Sequence, residues 1–314
     1  MDNAAVAYVL GASPRKRPRV DSDLDAEEAK VAVTRTVPMQ DEMIWFKDGN
    51  VTLEAGDIAF RVYGGLLARH SEPLGKLIDE APKSWQWLTG LPVGLWSHSR
   101  CTVRLEDAPD EVRCLLRILI LADPFCGIST RMPFSDVAAL VRLGHKYEIQ
   151  HVLEEGLRRM KSCFSDSFEV WDKASKSGGN TLMSFSEEDA IAAVNIARLT
   201  GATSMLPTAM YSCCQRTPEV ITNGVPGPNG KIERLSPEDV LICLGARTIL
   251  CHHNVIAAMN IWIPEPECDV HGAECMCVRV INATSAGLRT YEDSGLAHHD
   301  ALQDWTDTIE HVAA

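Results

Sequence analysis

Cysteine and histidine residues with short spacings lie near the C-terminus, where Cys268, His271, Cys275 and Cys277 follow one another closely. Thiolate and imidazole are ligands that zinc prefers, and short spacings let one turn present two of them. The usual pairing of two Cys-x-x-Cys motifs is absent, and Cys275 and Cys277 would point to opposite faces of a strand. A structural zinc site is therefore one interpretation, and ordinary thiols with an imidazole are the simpler one.

Other residues with catalytic potential lack a partner in the sequence. Cys251, His252 and His253 have no obvious further ligand nearby, and neither Cys163 nor Cys213 has a neighbour that would lower a thiol pKa. The chain has no G-x-S-x-G elbow, no G-x-x-x-x-G-K-S/T loop and no H-E-x-x-H helix. We therefore expect no catalytic residue and no cofactor. The alternative is a metal-dependent or thiol enzyme that uses the C-terminal Cys/His cluster.

A compact basic block near the N-terminus has the character of a nuclear-import signal, and it consists of Arg15, Lys16, Arg17 and Arg19. Acidic residues crowd the segment that follows, so residues 1–40 hold too few apolar side chains to offset the entropy of ordering. We expect residues 1–40 to form a disordered charged tail. The basic block is either an import signal or a solvated run of charge.

Composition narrows the classes of function. The chain has 314 residues, 46% of them hydrophobic, and a formal net charge of −13. The acidic balance argues against binding to a phosphate backbone, and no apolar run in the sequence reaches the roughly 20 residues of a bilayer span. The first ten residues do not resemble a secretory signal, so we expect a nuclear or cytoplasmic location in which the 11 cysteines stay reduced.

Periodicity predicts a small sheet flanked by helices. Residues 51–54 and 58–62 alternate apolar and polar side chains around a turn at Gly56 and Asp57, and residues 102–105 repeat the alternation. A helix is predicted over 110–121, with Val112, Leu115, Leu116, Leu119 and Ile120 as its apolar stripe. A closing pair of helices is predicted over 134–160, with core residues Ala139, Leu140, Leu143, Tyr147, Ile149, Val152 and Leu157.

The first of these segments resembles the opening of BTB/POZ domains of the fungal, particularly mushroom-type (basidiomycete), group. In that family, a strand ending in an aromatic and a basic residue precedes the motif L-A-x-x-S-x-x-F. The matching residues here are Phe60, Arg61, Val62, Leu66, Leu67, Ala68 and Ser71. The chain departs from the family at Tyr63, where many relatives carry His, and at Leu74, where they carry Phe. Residues 101–107, 110–121 and 134–160 extend the resemblance, as do two segments in the C-terminal half.

The resemblance implies an α+β (α/β) BTB/POZ-like domain over residues 41–163, followed by a mainly helical region over 164–314. It also implies a protein-interaction adaptor, which either bridges a client to a cullin-type ubiquitin ligase or acts in transcriptional regulation. The expected partners are proteins: a client, a cullin-type scaffold or a second copy in a homodimer. We expect no direct contact with nucleic acid and none with a membrane.

Capping residues place the helices of the C-terminal half. Ser186 and Ser236 precede acidic residues and apolar stripes, which predicts helices over 190–200 and from 237 to about 262, with another over 206–215. Leu199 is assigned to the buried face of the first. The helical spacing of the second is carried by Val240, Leu244, Arg247, Leu250 and Ile256. Residues 164–181 are predicted to be a connector. Residues 224–230 form a glycine-rich loop whose two prolines argue against a phosphate cradle.

A variable insert is expected over residues 75–100, and it contains Trp85, Trp87 and Trp96. Tryptophan is a frequent anchor of protein interfaces, and it equally serves to pin a loop onto its own domain. The sequence favours the second interpretation.

Overall fold

The structure, a computed structural model, describes residues 38–84, 100–121, 130–227, 230–261 and 300–302. These residues combine helices with small sheets, so the predicted α+β class is confirmed in this general form. The strands are β1 Met39–Trp45, β2 Val51–Ala55, β3 Ile58–Val62, β4 Lys83–Ser84, β5 Arg100–Leu105, β6 Met132–Pro133, β7 Met183–Ser184, β8 Val225–Pro226 and β9 Ile232–Glu233. The helices are α1 Gly64–His70, α2 Glu72–Glu80, α3 Pro109–Leu116, α4 Phe134–Lys146, α5 Gln150–Lys161, α6 Phe168–Lys176, α7 Ala190–Thr200, α8 Leu206–Cys214, α9 Pro218–Asn223 and α10 Pro237–Ile261.

The largest sheet has the strand order β1-β3-β2-β5-β4. Strands β2 and β3 form an antiparallel hairpin, while β2 pairs in parallel with β5 and β1 pairs in parallel with β3. Gly56 closes the hairpin with a positive φ of 56°, a backbone conformation that glycine adopts at little cost. The three segments predicted as strands from their alternation therefore share one sheet.

Alternation along β2 explains why the sheet forms here. Val51, Leu53 and Ala55 are buried, and Thr52 and Glu54 between them are half-exposed. Since successive side chains of a strand point to opposite faces, this pattern places one apolar face against the helices. The edge strand β1 begins at Met39, two residues before the boundary predicted at residue 41.

Helix α2 is not among the elements predicted from the sequence. Ser71 is extended, with φ −147°, and it separates α1 from α2. Its hydroxyl oxygen accepts a hydrogen bond from the Leu74 amide at 3.1 Å and donates one to the Tyr147 carbonyl at 2.6 Å. Ser71 therefore caps α2 and ties this helix to the turn between α4 and α5. Helix α2 also occupies the first part of the expected insert.

The helices α4 and α5 pack against each other as the closing pair that periodicity predicted. The predicted core residues Ala139, Leu140, Leu143, Tyr147, Ile149 and Val152 are buried, and Leu157 is partly buried against the same core. Helix α3 continues as a π-helical segment over Arg117–Leu121. Its predicted stripe also packs into the core, where Ile120 is partly buried.

One buried core crosses the boundary predicted at residue 163. Cys163 and Phe164 are almost fully buried, and the Phe164 ring packs against Phe134 at 6.2 Å and Phe185 at 4.9 Å between centroids. The predicted connector contains helix α6, whose Trp171 is buried. The prediction missed α6 because its nine residues offer only two buried side chains, too few to show a helical period. The division into two domains stays a prediction.

The predicted caps of the C-terminal helices agree with the structure. Ser186 and Asp189 form a reciprocal capping box before α7, and Gly201 ends that helix with a φ of 69°. Leu199 was assigned to the buried face of α7, but its side chain is 49% exposed. The reason is that Ile191, Val194 and Ala197 already fill the buried stripe, and Leu199 lies off their period.

Candidate protein-interaction surface

Helix α10 begins at a firmly held cap. The Ser236 hydroxyl oxygen accepts a hydrogen bond from the Asp239 amide at 3.1 Å. The buried Asp239 carboxylate accepts a hydrogen bond from Arg198 of α7 at 2.7 Å. These contacts fix the first turn of a 25-residue helix to the rest of the chain.

One face of α10 is covered by its own chain. Cys243 and Asn254 are fully buried on this face, and the helix packs against α8 and α9. Between them, Arg247 donates a hydrogen bond to the Cys214 carbonyl at 2.6 Å and a second to the Arg216 carbonyl. A guanidinium that donates to the last carbonyls of α8 also interacts favourably with the negative end of that helix.

The opposite face of α10 is apolar and exposed. Its exposed fractions are 71% for Leu241, 49% for Ile242, 60% for Ile249, 40% for Ile256 and 58% for Met259. We call these five residues the α10 stripe. Contiguous apolar surface of this kind marks an interaction site on a folded protein, whereas single exposed apolar residues need no explanation.

Ile256 was predicted only to continue the helical spacing of α10, and in the structure its side chain is 40% exposed. Ile242, Ile249 and Ile256 are seven residues apart, which places them on one side of a helix. This spacing is visible in the sequence and could have revealed a second apolar face. The prediction instead followed Val240, Leu244 and Leu250, which pack against the core.

By length and composition, residues 237–257 of α10 could also cross a membrane. A single helix of this kind is weak evidence of a membrane span. This property was not expected from the sequence, because polar residues such as Arg247 interrupt the apolar runs. The ion pair between the buried Asp239 and Arg198, together with the hydrogen bonds of Arg247, holds the helix against α7 and α8. Insertion into a bilayer would break these contacts and carry Arg247 into hydrocarbon, at a large cost in free energy.

A groove of about 510 Å³ lies beside α5. Apolar side chains of Ile118, Met132, Leu140 and Val152 line it, and charged residues of α5 form part of its wall. Arg159 in this wall is only 1% exposed, and its guanidinium donates hydrogen bonds to Glu155 and to the carbonyls of Thr130 and Leu182. Arg159 therefore ties α5 to the segments around β6 and β7.

The buried thiols are poor nucleophiles. A hydrogen bond with the Cys213 thiol, together with burial, raises the pKa of Cys243 to about 12. A hydrogen bond with Cys243 and burial raise the pKa of Cys214 well above its ordinary value, and burial raises the pKa of Cys163. Because the thiolate is the reactive form, these three side chains are protonated and inert near neutral pH.

Three carboxyl groups have a raised pKa, and the first cause for each is burial: Glu111 of α3, Asp136 at the start of α4 and Asp189 before α7. Raised carboxyl pKa values can mark general acids. These groups belong to three different elements, and Asp189 is accounted for by its capping box with Ser186.

An ionic network joins the two halves of the chain. Arg142 of α4 pairs with Glu233 of β9 at 2.8 Å, and the same carboxylate accepts a hydrogen bond from Asn195 of α7 at 2.6 Å. Nearby, the Asp107 carboxylate accepts hydrogen bonds from the Tyr147 hydroxyl and from Lys146 at 2.6 Å. These polar residues lock elements together across the sequence.

Most sequence-predicted site residues lie outside the described residues. This applies to Cys268, His271, Cys275 and Cys277, to the basic block Arg15, Lys16, Arg17 and Arg19, and to the three tryptophans of the insert. His252 and His253 lie exposed on α10, with their ring centroids 6.0 Å apart. Within the described part of the chain, no group of three or more His, Cys, Asp or Glu side chains could hold a metal ion.

No protein-family model matches the chain, and a comparison with curated proteins found no match.

Proposed function

We propose that this protein is an adaptor whose activity is the binding of other proteins. The observation that carries the proposal is the α10 stripe, which exposes five large apolar side chains on a helix that is anchored by its opposite face. Leaving such a surface in water is unfavourable by roughly 25 cal/mol per Å², and a partner that covers it recovers this free energy. A firmly held helix also loses little entropy when it binds.

The order of elements supports a BTB/POZ-type adaptor. A hairpin β2–β3 leads into α1 and α2, strand β5 returns beside β2, and the helices α3, α4 and α5 follow. This is the succession of hairpin, helix, strand, helix and closing helix pair that the sequence resemblance implies. On this proposal, the first half contacts a cullin-type scaffold or a transcriptional partner, while the C-terminal helices bind a client.

The chemistry of the described residues supports binding over catalysis. The thiols of Cys163, Cys214 and Cys243 have raised pKa values, which keeps them protonated. The charged side chains of Asp41, Asp239 and Arg247 make hydrogen bonds that hold elements together. An association function needs no group beyond those that build the fold and the stripe.

The test is affinity purification of the tagged full-length chain from the cells that produce it, with partners quantified by mass spectrometry. A double variant, Ile242→Asp with Ile249→Asp, places charge in the stripe. Leu199→Asp is the matched control, because Leu199 is as exposed as Ile242, at 49%, and lies on α7. We expect specific partners to fall at least roughly tenfold with the double variant and to persist with the control.

Two results would contradict the proposal. One is the recovery of the same partners in equal amounts with all three chains. The other is a wild-type chain that captures no specific protein and turns over a small molecule, which would favour the enzyme alternative.

A further inference from the structure

The α10 stripe has the spacing of a coiled-coil seam. Ile242, Ile249 and Ile256 recur every seven residues, and between them Gly245, His252 and Met259 recur with the same period. Successive members are therefore three or four residues apart, the a and d positions of a heptad. The structure leaves all six on the exposed side of the helix. A partner helix can lie along this seam over nearly the whole of α10.

The seam faces away from the rest of the molecule. Cys243, Arg247 and Asn254 lie on the opposite side of the helix, where they are wholly or partly buried. Their hydrogen bonds and packing hold α10 while the seam stays accessible. Contact with a partner therefore needs no rearrangement of α10.

The residues beside the seam indicate the kind of partner. Between Ile242 and Met259 the flanking residues are Leu241, Ala246, Thr248, His253 and Val255, and none is a carboxylate, lysine or arginine. Flanking charges normally set partner choice in a helix pair, by attraction or by repulsion between like charges. An identical helix meets no such repulsion along this part of the seam, which begins after Glu238. The isoleucines at the a positions are also typical of two-stranded pairs.

We propose that α10 pairs along this seam with α10 of a second copy of the chain, an inference that rests on the association function proposed above. With exposed fractions of 40–71%, the five apolar side chains expose on the order of 500 Å² per copy, within the size range of patches that mark interaction sites. A symmetric pair would bury up to roughly 1,000 Å², about the lower limit for a specific interface. An isologous pair buries the same seam on both copies.

The first test is sedimentation equilibrium of the purified full-length chain over a range of concentrations. We expect a reversible equilibrium between the 34.5 kDa chain and a dimer. Ile249→Asp places two carboxylates at the centre of the pair and should raise the dissociation constant at least about 100-fold. Leu199→Asp should leave it within about threefold, and thermal melting of both variants establishes that they are folded.

A second test asks for a gain in affinity, which an unfolded variant cannot produce. His252 occupies a d position, where leucine is favoured in two-stranded pairs. His252→Leu should therefore tighten the dimer roughly tenfold or more. His253→Leu adds the same side chain one residue away, beside the seam, and should change the dissociation constant by less than about threefold.

Several outcomes would overturn self-pairing. One is a chain that stays strictly monomeric at about 100 μM. Another is an equal decrease of the dimer dissociation constant in His252→Leu and His253→Leu, which would indicate unspecific apolar adhesion. Co-flotation of the monomer with neutral phosphatidylcholine vesicles would assign the stripe to a lipid surface. If the chain is monomeric but the stripe variants still lose partners from cells, the association function stands and a different protein covers the stripe.

Discussion

Asp41 shows how a single charged residue contributes to the fold. Its carboxylate is buried on β1, where it accepts hydrogen bonds from the amides of Met43 and Ile44 at 3.0 and 2.8 Å. Arg113 of α3 donates to the other oxygen at 2.7 Å, and its guanidinium lies over the Phe60 ring. Asp41 joins the edge strand to α3 through a fully hydrogen-bonded carboxylate.

The pKa of Asp41 predicts an acid-dependent contribution to stability. Burial would raise this pKa, but the hydrogen bonds from Arg113, Ile44 and Met43 outweigh burial and lower it. A lowered pKa in the folded state contributes stability above the unfolded value of about 3.9, and the contribution is lost as the pH falls through the folded pKa. We expect Asp41→Asn to lower the free energy of unfolding at pH 7 by about 1–3 kcal/mol.

Urea unfolding between pH 7 and pH 2.5 measures this effect. The difference between the wild-type chain and Asp41→Asn should begin to shrink below about pH 4, where the carboxyl of the unfolded chain takes up a proton. It should be lost only below the lowered folded pKa, where the folded carboxyl is protonated as well. Asp57→Asn, at the exposed hairpin turn, should change stability by less than about 0.5 kcal/mol at any pH. A difference at Asp41 that stays constant over the whole pH range would contradict the assignment.

At the scale of elements, two adjacent glycines at the start of α1 have opposite surroundings. A Cβ atom on Gly64 would lie 2.6 Å from Val51 Cγ2 and 3.3 Å from Ile78 Cγ2, whereas one on Gly65 would meet no atom within 4 Å. The Gly64 amide also donates a hydrogen bond to Asn50 at 2.9 Å. Helix α1 can therefore approach β2 closely because residue 64 has no side chain.

This contrast predicts different outcomes for the same substitution. Gly64→Ala should destabilise the protein by about 1–3 kcal/mol, because Val51 is a stiff β-branched residue in a packed core. Gly65→Ala should be neutral or stabilise by up to about 1 kcal/mol, because alanine reduces the entropy of the unfolded chain. Chemical unfolding of both variants measures the two effects, and equal effects would show that α1 does not pack this closely.

The packing of α3 and α4 predicts which leucines are essential for folding. Leu116 is 1% exposed and Leu143 is 2% exposed. Leu116→Asp or Leu143→Asp buries an unpaired carboxylate and should cost more than about 4 kcal/mol, enough to abolish a cooperative melt. Leu77→Asp is the control, because Leu77 of α2 is 39% exposed. A cooperative melt at an unchanged temperature in either core variant would contradict the burial of that residue.

At the scale of the whole molecule, location and assembly remain predictions. The basic block Arg15, Lys16, Arg17 and Arg19 predicts nuclear import, because import receptors bind closely spaced cations in an extended chain. We expect residues 1–30 fused to a large fluorescent reporter to concentrate it in the nucleus. Replacing the four basic residues by alanine should abolish the effect. A fusion no more nuclear than the reporter alone would refute the import signal.

The local elements were largely predictable from sequence. Alternation placed β2, β3 and β5, apolar periodicity placed α3, α4 and α5, and serine caps placed α7 and α10. Each of these signals depends on residues that are close in sequence, and backbone geometry converts their spacing directly into a strand or a helix. The separate helix α2 was missed although its cap is local, since the Ser71 hydroxyl accepts from the Leu74 amide three residues on. The hydrogen bond from Ser71 to the Tyr147 carbonyl, 76 residues away, is what no local signal shows.

What the sequence determined by itself is that α10 has apolar residues on more than one side; which side is covered was decided only by the tertiary structure. Both Ile256 and Leu250 fit one helical spacing, which does not say which of them the chain covers. In the structure Leu250 packs against the core on the side where Arg247 donates to the Cys214 carbonyl, while Ile242, Ile249 and Ile256 are exposed. Periodicity reports that a face is apolar, but only contacts between distant segments determine whether the same chain covers it.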